Sequence, residues 1–115
     1  VINKNYKTKD GTGARDYIHI QDLVDAHLKC IQFVKKKSGI FNIGSGKPYT
    51  VLDIISSFKK HCNFEIKYNF YPRREGDIDI YYNKIFKAKK ILGWSAKRGL
   101  KEISQSTFKF AIKNK

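Results

Sequence analysis

Asp10-Gly11-Thr12-Gly13-Ala14-Arg15-Asp16-Tyr17-Ile18-His19-Ile20-Gln21-Asp22-Leu23 sets the reading of the whole chain. Asp10-Gly11 is a strong turn signal. Arg15 to Ile20 then reads as a short strand with Ile18 and Ile20 on one face. Helix periodicity takes over from about Gln21 to Lys36, with Leu23, Ala26, His27, Cys30, Ile31 and Val34 as the expected inward stripe. Lys35 to Lys37 suit the negative end of that helix dipole, and Gly39 supplies a stop. A turn, a strand and a helix in succession mark an α/β chain.

The pattern continues on both sides. Val1-Ile2 reads as the end of a strand, and Asn3 to Gly13 is polar and turn-rich. Ile40 to Ile43 is a short apolar strand leading into Gly44-Ser45-Gly46-Lys47-Pro48-Tyr49. Thr50 and Asp53 have capping-box spacing, and Val51, Ile54, Ile55, Phe58 and Cys62 share one face of a second helix. Phe64, Ile66, Tyr68 and Phe70 alternate with Glu65, Lys67 and Asn69, as in a half-buried strand. Asn83 is the expected cap of a helix carrying Ile85, Phe86, Ile91 and Leu92, closed by Gly93-Trp94. A last helix spans about Leu100 to Ile112, with Leu100, Ile103, Thr107, Phe110 and Ala111 inward. Short strands alternating with helices define the α/β class.

The 115 residues allow one domain or less, and 41% apolar residues can build a core. No apolar run reaches the roughly 18 residues of a membrane span, so no membrane partner is expected. The two cysteines, Cys30 and Cys62, lack CxxC spacing and read as reduced core residues of a cytoplasmic protein. The formal charge of +14 suggests nucleic acid at first sight. Yet 20 of the 24 basic residues are lysines spread along the chain, beside many Ile and Asn, a mixture that codon bias produces. A nucleic-acid face would cluster Arg and Lys with exposed aromatics, so no nucleic-acid partner is expected. There is no methionine. Initiator removal before Val1 and excision from a longer chain account for that equally well.

Tyr71-Pro72-Arg73-Arg74-Glu75-Gly76-Asp77 holds two of the four arginines and one of the two prolines. Permanently charged, planar guanidinium groups beside a carboxylate suit an anion joined to a diol, as in a nucleoside diphosphate. An exposed basic turn is the plainer alternative. Arg15 follows a glycine-rich turn at the start of a strand, so Arg15 and Arg74 could converge on one diphosphate; a local pair with Asp16 or Asp22 is the other reading. Tyr17 and Tyr81 are either ligand-facing or edge residues. Gly44 to Gly46 ahead of a helix invites a phosphate-loop reading, but it lacks GxxxxGK[ST] spacing and Pro48 removes an N–H, which favours a tight turn. His19, His27 and His61 lack metal-ligand spacing, and no Ser or Cys has the local signature of an activated nucleophile.

Five motifs in register resemble UDP-glucose 4-epimerases of the extended short-chain dehydrogenase/reductase superfamily. The segment from Asp10 to Leu23 is similar to DGTxxRDYIHVxDL. Phe41 to Gly46 resembles the NxGxG turn, and Thr50 to Asp53 the helix start after it. Pro72 to Asp77 matches PxRxGD, and Lys87-Ala88 through Trp94 resembles KAxxxLGW. The resemblance spans essentially the whole chain and implies the C-terminal, UDP-sugar-binding region of an NAD(P)-binding Rossmann-type fold over residues 1–115. In that family the arginines matching Arg15 and Arg74 contact the diphosphate. The aspartate matching Asp77 binds the ribose hydroxyls, and the tyrosine matching Tyr81 lies at the substrate site. The loop residues Glu75 and Gly76 belong to the same motif, and Val1-Ile2 corresponds to a segment near the uracil. Lys84 stands where the family commonly has Asp before the KA helix, which shifts the expected cap to Asn83 and leaves sugar preference open.

The resemblance also implies NAD as cofactor, a homodimer, and interconversion of UDP-galactose and UDP-glucose in galactose metabolism by transient oxidation at C4. The GxxGxxG loop that holds NAD in the family and its catalytic Tyr-x-x-x-Lys pair have no counterpart in these 115 residues. The expected N-terminal NAD-binding domain therefore lies outside this chain, which alone should bind UDP without catalysis and should expose apolar surface where that domain packs. A non-catalytic UDP-sugar-binding or basic partner-binding module is the alternative.

Overall fold

Local hydrogen bonds start each helix. In the computed structural model, which describes residues 1–115, α1 (Ile20–Val34) is capped by His19, whose Nδ1 accepts the Gln21 N–H at 3.0 Å. That cap draws Ile20 into the helix, so the strand expected through Ile20 stops early: β2 is Ala14–Asp16. α2 (Val51–Cys62) begins with the expected capping box, Thr50 Oγ accepting the Asp53 N–H at 3.1 Å and Asp53 accepting the Thr50 N–H at 2.9 Å. α3 (Leu100–Lys113) starts at Gly99, whose N–H donates to Glu102 at 2.9 Å.

The sheets are small. β1 (Ile2–Asn3) pairs in parallel with β4 (Phe70–Tyr71), and β2 pairs antiparallel with β3 (Pro48–Thr50). A parallel bridge between Ala14 and Ile80 adds a third segment beside β2. Two expected strands are corrected here. Residues 64–69 are not a strand, because β1 is in register only with Phe70 and Tyr71 and reaches back no further than the Ile2 N–H bond to Asn69 O at 2.8 Å. Residues 40–43 also stay outside any sheet; side chains take their carbonyls, Lys87 Nζ donating to Ile40 O at 2.8 Å and Asn83 Nδ2 to Ile43 O at 3.2 Å. Alternating pattern creates a strand only where a second backbone edge meets it.

The third helical segment is also redrawn. Ala88–Leu92 is a π-helical turn ending at Gly93 with φ +66°, and Asn83 does not cap it. Instead Asn83 N–H donates to Asp16 at 3.1 Å.

The core packs α1 against this turn. Ala26, Ala88, Leu92 and Trp94 are buried together, with Ile18, Cys30, Phe33 and Phe41 partly buried around them. The two alanines let the backbones approach. Asp22 sits beneath them at 1% exposure, accepting Arg98 Nη1 at 2.7 Å and the N–H groups of Lys97 and Arg98 at 3.2 and 2.9 Å. Trp94 Nε1 closes the clasp on Asp22 O at 3.1 Å. A second contact joins α2 and α3 through Ser104 and Ser57, whose hydroxyls meet at 2.6 Å.

The buried faces differ from the expected stripes. Ile31 and Val34 of α1 are exposed by 55% and 62%, with Ile20, Val24 and Leu28 exposed beside them. His27 also faces outward. On α3, Leu100, Ile103, Ser104 and Phe108 turn inward while Thr107, Phe110 and Ala111 are exposed. The α2 stripe is half-buried as expected, and Cys30 and Cys62 are free, half-buried thiols. The radius of gyration, 16.4 Å, exceeds the roughly 13 Å of a compact domain of this length. No helix is long and apolar enough to cross a membrane.

Candidate nucleotide-binding site

The loop 72–78 hangs between the two small sheets. β4 holds one end beside β1, where Asn3 Nδ2 donates to Pro72 O at 2.8 Å. Residues 79–81 hold the other end: Ala14 N–H donates to Asp79 O at 2.9 Å and Tyr81 N–H to Ala14 O at 3.0 Å. Between these ties the chain turns back at Arg74–Asp77, with Gly76 at φ +78° and Asp77 N–H directed at Arg74 O at 3.4 Å. An ordinary side chain resists that angle.

This suspension brings Asp77 over Arg15. Arg15 Nη2 meets Asp77 Oδ1 at 2.9 Å, while Nη1 donates to Ala14 O at 2.8 Å. Arg74 approaches the other carboxylate oxygen at 3.5 Å with its side chain 75% exposed. Neither Asp16 nor Asp22 pairs with Arg15. Arg73 does not reach the Asp77 carboxylate and is bonded instead to Asp79 and to Asp77 O. The two neighbouring arginines thus divide the work: Arg73 braces the loop and Arg74 is left reaching into solvent.

Arg15, Arg74 and Asp77 line a cavity of about 280 Å³ with Tyr6, Tyr17 and the Val1-Ile2 end of β1. Glu75, Gly76 and Tyr81 do not line it; Glu75 and Gly76 are exposed on the turn, and Tyr81 is 54% exposed. Two cations against one carboxylate leave a net positive charge at the cavity wall. The Tyr6 hydroxyl, followed by the Arg15 and Arg74 charges, holds the Asp77 carboxyl below its usual range against partial desolvation. Burial raises the Tyr17 phenol. A hollow of about 310 Å³ beside Trp94, bordered by Asp25, Lys29 and Lys97, contains none of the predicted residues.

The glycine turn before α2 is already occupied. Ser45 N–H and Oγ donate to Asp16 Oδ1, both at 2.7 Å, and Gly46 N–H donates to Asp16 Oδ2 at 3.2 Å. Burial opposes ionisation of Asp16, but these bonds and the one from Asn83 outweigh it and lower its pKa. The turn is an internal carboxylate nest, so the tight-turn reading holds over the phosphate loop. With these N–H groups directed at Asp16 and the Thr50 N–H directed at Asp53, the residues present do not fit a dinucleotide pyrophosphate. The nest also leaves no room at Gly44, where an added Cβ would lie 2.4 Å from Asp16 Oδ2 and 2.8 Å from Asn83 Nδ2. Both atoms are tied down, so Gly44→Ala should destabilise the chain by about 2 kcal/mol in urea unfolding; a loss below about 0.5 kcal/mol would show that the nest yields.

Ser106 Oγ lies 2.9 Å from His19 Nε2, an arrangement that invites a hydrolase reading. The imidazole rules it out: Nδ1 accepts from Gln21 N–H, so Nε2 carries the proton and cannot take one from serine. No three His, Cys, Asp or Glu side chains converge as a metal site. The residue missed at the sequence level is Tyr6, whose one visible signal was a lone aromatic in the polar Asn3 to Gly13 stretch. It is 6% exposed, and its hydroxyl donates to Asp77 at 2.5 Å.

Fold and motifs together define the C-terminal part of a Rossmann-type extended short-chain dehydrogenase/reductase. The family model for GDP-mannose 4,6 dehydratase matches residues 2–107, and the chain belongs to that family. Within it, the chain is 41% identical to a UDP-glucose 4-epimerase of Bacillus subtilis over 116 aligned positions, covering 99% of this chain and 34% of that protein. The structure of the Bifidobacterium longum UDP-glucose 4-epimerase in complex with NAD+ and UDP superposes with a TM-score of 0.90 at 39% identity, over 99% of this chain and 34% of the other. The Stenotrophomonas maltophila UDP-glucose-4-epimerase with bound NAD and formylated UDP-arabinopyranose gives 0.91 at 35% identity, over 99% and 35%. The resemblance drawn from the five motifs is therefore borne out. The chain spans about a third of the length of the curated relatives it matches.

Proposed function

We propose that this chain is the UDP-sugar-binding region of a UDP-glucose 4-epimerase. The observation that carries the proposal is the convergence of Arg15, Arg74 and Asp77, up to 62 positions apart in sequence, on one cavity. The diphosphate takes the two guanidinium groups, which supply fixed charge and paired donors. In doing so it draws Arg15 from its ion pair and leaves Asp77 to accept the ribose hydroxyls. Val1 and Ile2 border the end of the cavity where the base lies.

The sugar-converting half of the reaction belongs elsewhere. NAD, the cofactor bound in the related epimerase structures, is held by an N-terminal domain outside these residues; the Gly44–Gly46 turn here is filled by Asp16, and the Gly99 N–H at the start of α3 by Glu102. The exposed stripe of α1 and the large radius of gyration support a further packed domain. The parent enzyme is a cytoplasmic homodimer of galactose metabolism that interconverts UDP-galactose and UDP-glucose.

Calorimetric titration of the 115-residue chain with UDP tests the reading. UDP binds, and Arg74→Ala weakens binding about tenfold. The chain with NAD leaves UDP-galactose unconverted. Absence of UDP binding overturns the proposal, as does duplex DNA binding that weakens steeply with salt and ignores Arg74→Ala. Formation of UDP-glucose by the chain alone overturns the division of labour.

A further inference from the structure

Tyr6 is the one site-lining aromatic that is both buried and hydrogen-bonded to a charged group of the site. Its backbone N–H donates to Gly11 O at 3.0 Å and its carbonyl accepts from Thr8 at 2.9 Å, so the residue is fixed within its own turn. The Arg73 guanidinium lies 4.9 Å from the centre of its ring. Arg73 is itself bonded to Asp79 and, at 2.5 Å, to Asp77 O. The phenol is thereby clamped from its backbone and from its face. Its hydroxyl has a single acceptor, Asp77 Oδ2, at 2.5 Å.

The opposite oxygen, Asp77 Oδ1, accepts from Arg15 at 2.9 Å and from the Ile78 N–H at 3.2 Å. These donors differ in what a ligand does to them. A diphosphate competes for Arg15 and Arg74, because both are charged and the Arg74 side chain is 75% exposed. It has no comparable hold on a neutral, buried phenol. Tyr6 therefore stays on Asp77 when the arginines are drawn off, and it fixes the carboxylate plane without neutralising its charge. An ionised carboxylate offers about four acceptor positions. With one taken by Tyr6 and one by the Ile78 N–H, two remain for a pair of hydroxyls. The phenol is held protonated, chiefly by its hydrogen bond to Asp77 and then by desolvation and the Asp77 charge, so it remains a donor across the neutral range.

We infer that Tyr6 is a positioning residue that orients the Asp77 carboxylate to read the two hydroxyls of a ribose, an inference that rests on the nucleotide-binding reading of the cavity. The test compares UDP with 2′,3′-dideoxyuridine diphosphate, which keeps base and diphosphate but lacks the diol. Tyr6→Phe retains the ring beneath Arg73 and removes only the hydroxyl. In the wild-type chain UDP binds more tightly than the dideoxy analogue. Tyr6→Phe weakens UDP about tenfold and the analogue less than about twofold, so the preference collapses. In an Asp77→Ala background, Tyr6→Phe has no further effect on either ligand. Equal loss for both ligands, or no loss for UDP, overturns the positioning role and leaves the nucleotide site standing. Failure of the wild-type chain to bind either ligand overturns the nucleotide reading, and the role of Tyr6 with it.

Discussion

Asp22→Ala lowers the free energy of unfolding by about 3 kcal/mol. The carboxylate is 1% exposed and accepts three donors: the Arg98 guanidinium and the backbone N–H groups of Lys97 and Arg98. Removing it leaves Arg98 free to turn to water, since that side chain is 36% exposed and also lies 3.7 Å from Asp25. The two backbone donors have no such escape. An unpaired N–H costs about 1–3 kcal/mol when buried, and these two, part-buried, together set the expected loss. Arg98→Ala is milder, because the same two N–H groups still serve the carboxylate. The single tryptophan, Trp94, donates to Asp22 O and is 4% exposed, so its fluorescence follows this clasp during urea unfolding. A loss under about 1 kcal/mol would mean that residues 97–98 rearrange and recover their hydrogen bonds.

For the ligand, Arg15→Ala reduces UDP affinity about 100-fold, a larger effect than Arg74→Ala. The difference lies in pre-organisation. Arg15 is 32% exposed and stays anchored by its bond to Ala14 O before and after Asp77 is released, whereas the Arg74 side chain is 75% exposed and must be ordered on binding. Arg15→Lys keeps the charge but not the planar fork, and its affinity remains about tenfold below wild type. Isothermal titration of the three variants checks the order. A change under threefold for Arg15→Ala, with folding intact, would mean that the diphosphate lies elsewhere.

Much of this architecture is legible in residues a few positions apart. The helix α2 announces itself through Thr50 and Asp53, and the turn at Gly76 through a glycine that takes a positive φ. Arg74 and Asp77 stand out as charged groups in a loop and Arg15 as one at the start of a strand, and motif spacing relates them to one family. Periodicity misled where the partner surface was at issue. Ile31, Val34 and Phe110 continue apolar stripes and are nevertheless exposed, and the alternation from Phe64 to Phe70 yields only a two-residue strand. A stripe states that a face is apolar, not that a neighbour within the same 115 residues covers it.

Helix starts, turns and the chemistry of the charged loop are therefore written in the chain, because hydrogen bonds within four residues and the 3.6-residue period create them. The burial of Asp22 beside Arg98, the filling of the glycine turn by Asp16, and the Tyr6 bond to Asp77 are not. Each joins residues 29 to 76 positions apart. Whether a carboxylate so placed meets a guanidinium, a phenol or a backbone N–H depends on how α1, the π-helical turn and the two small sheets pack. Local sequence carries no trace of that choice.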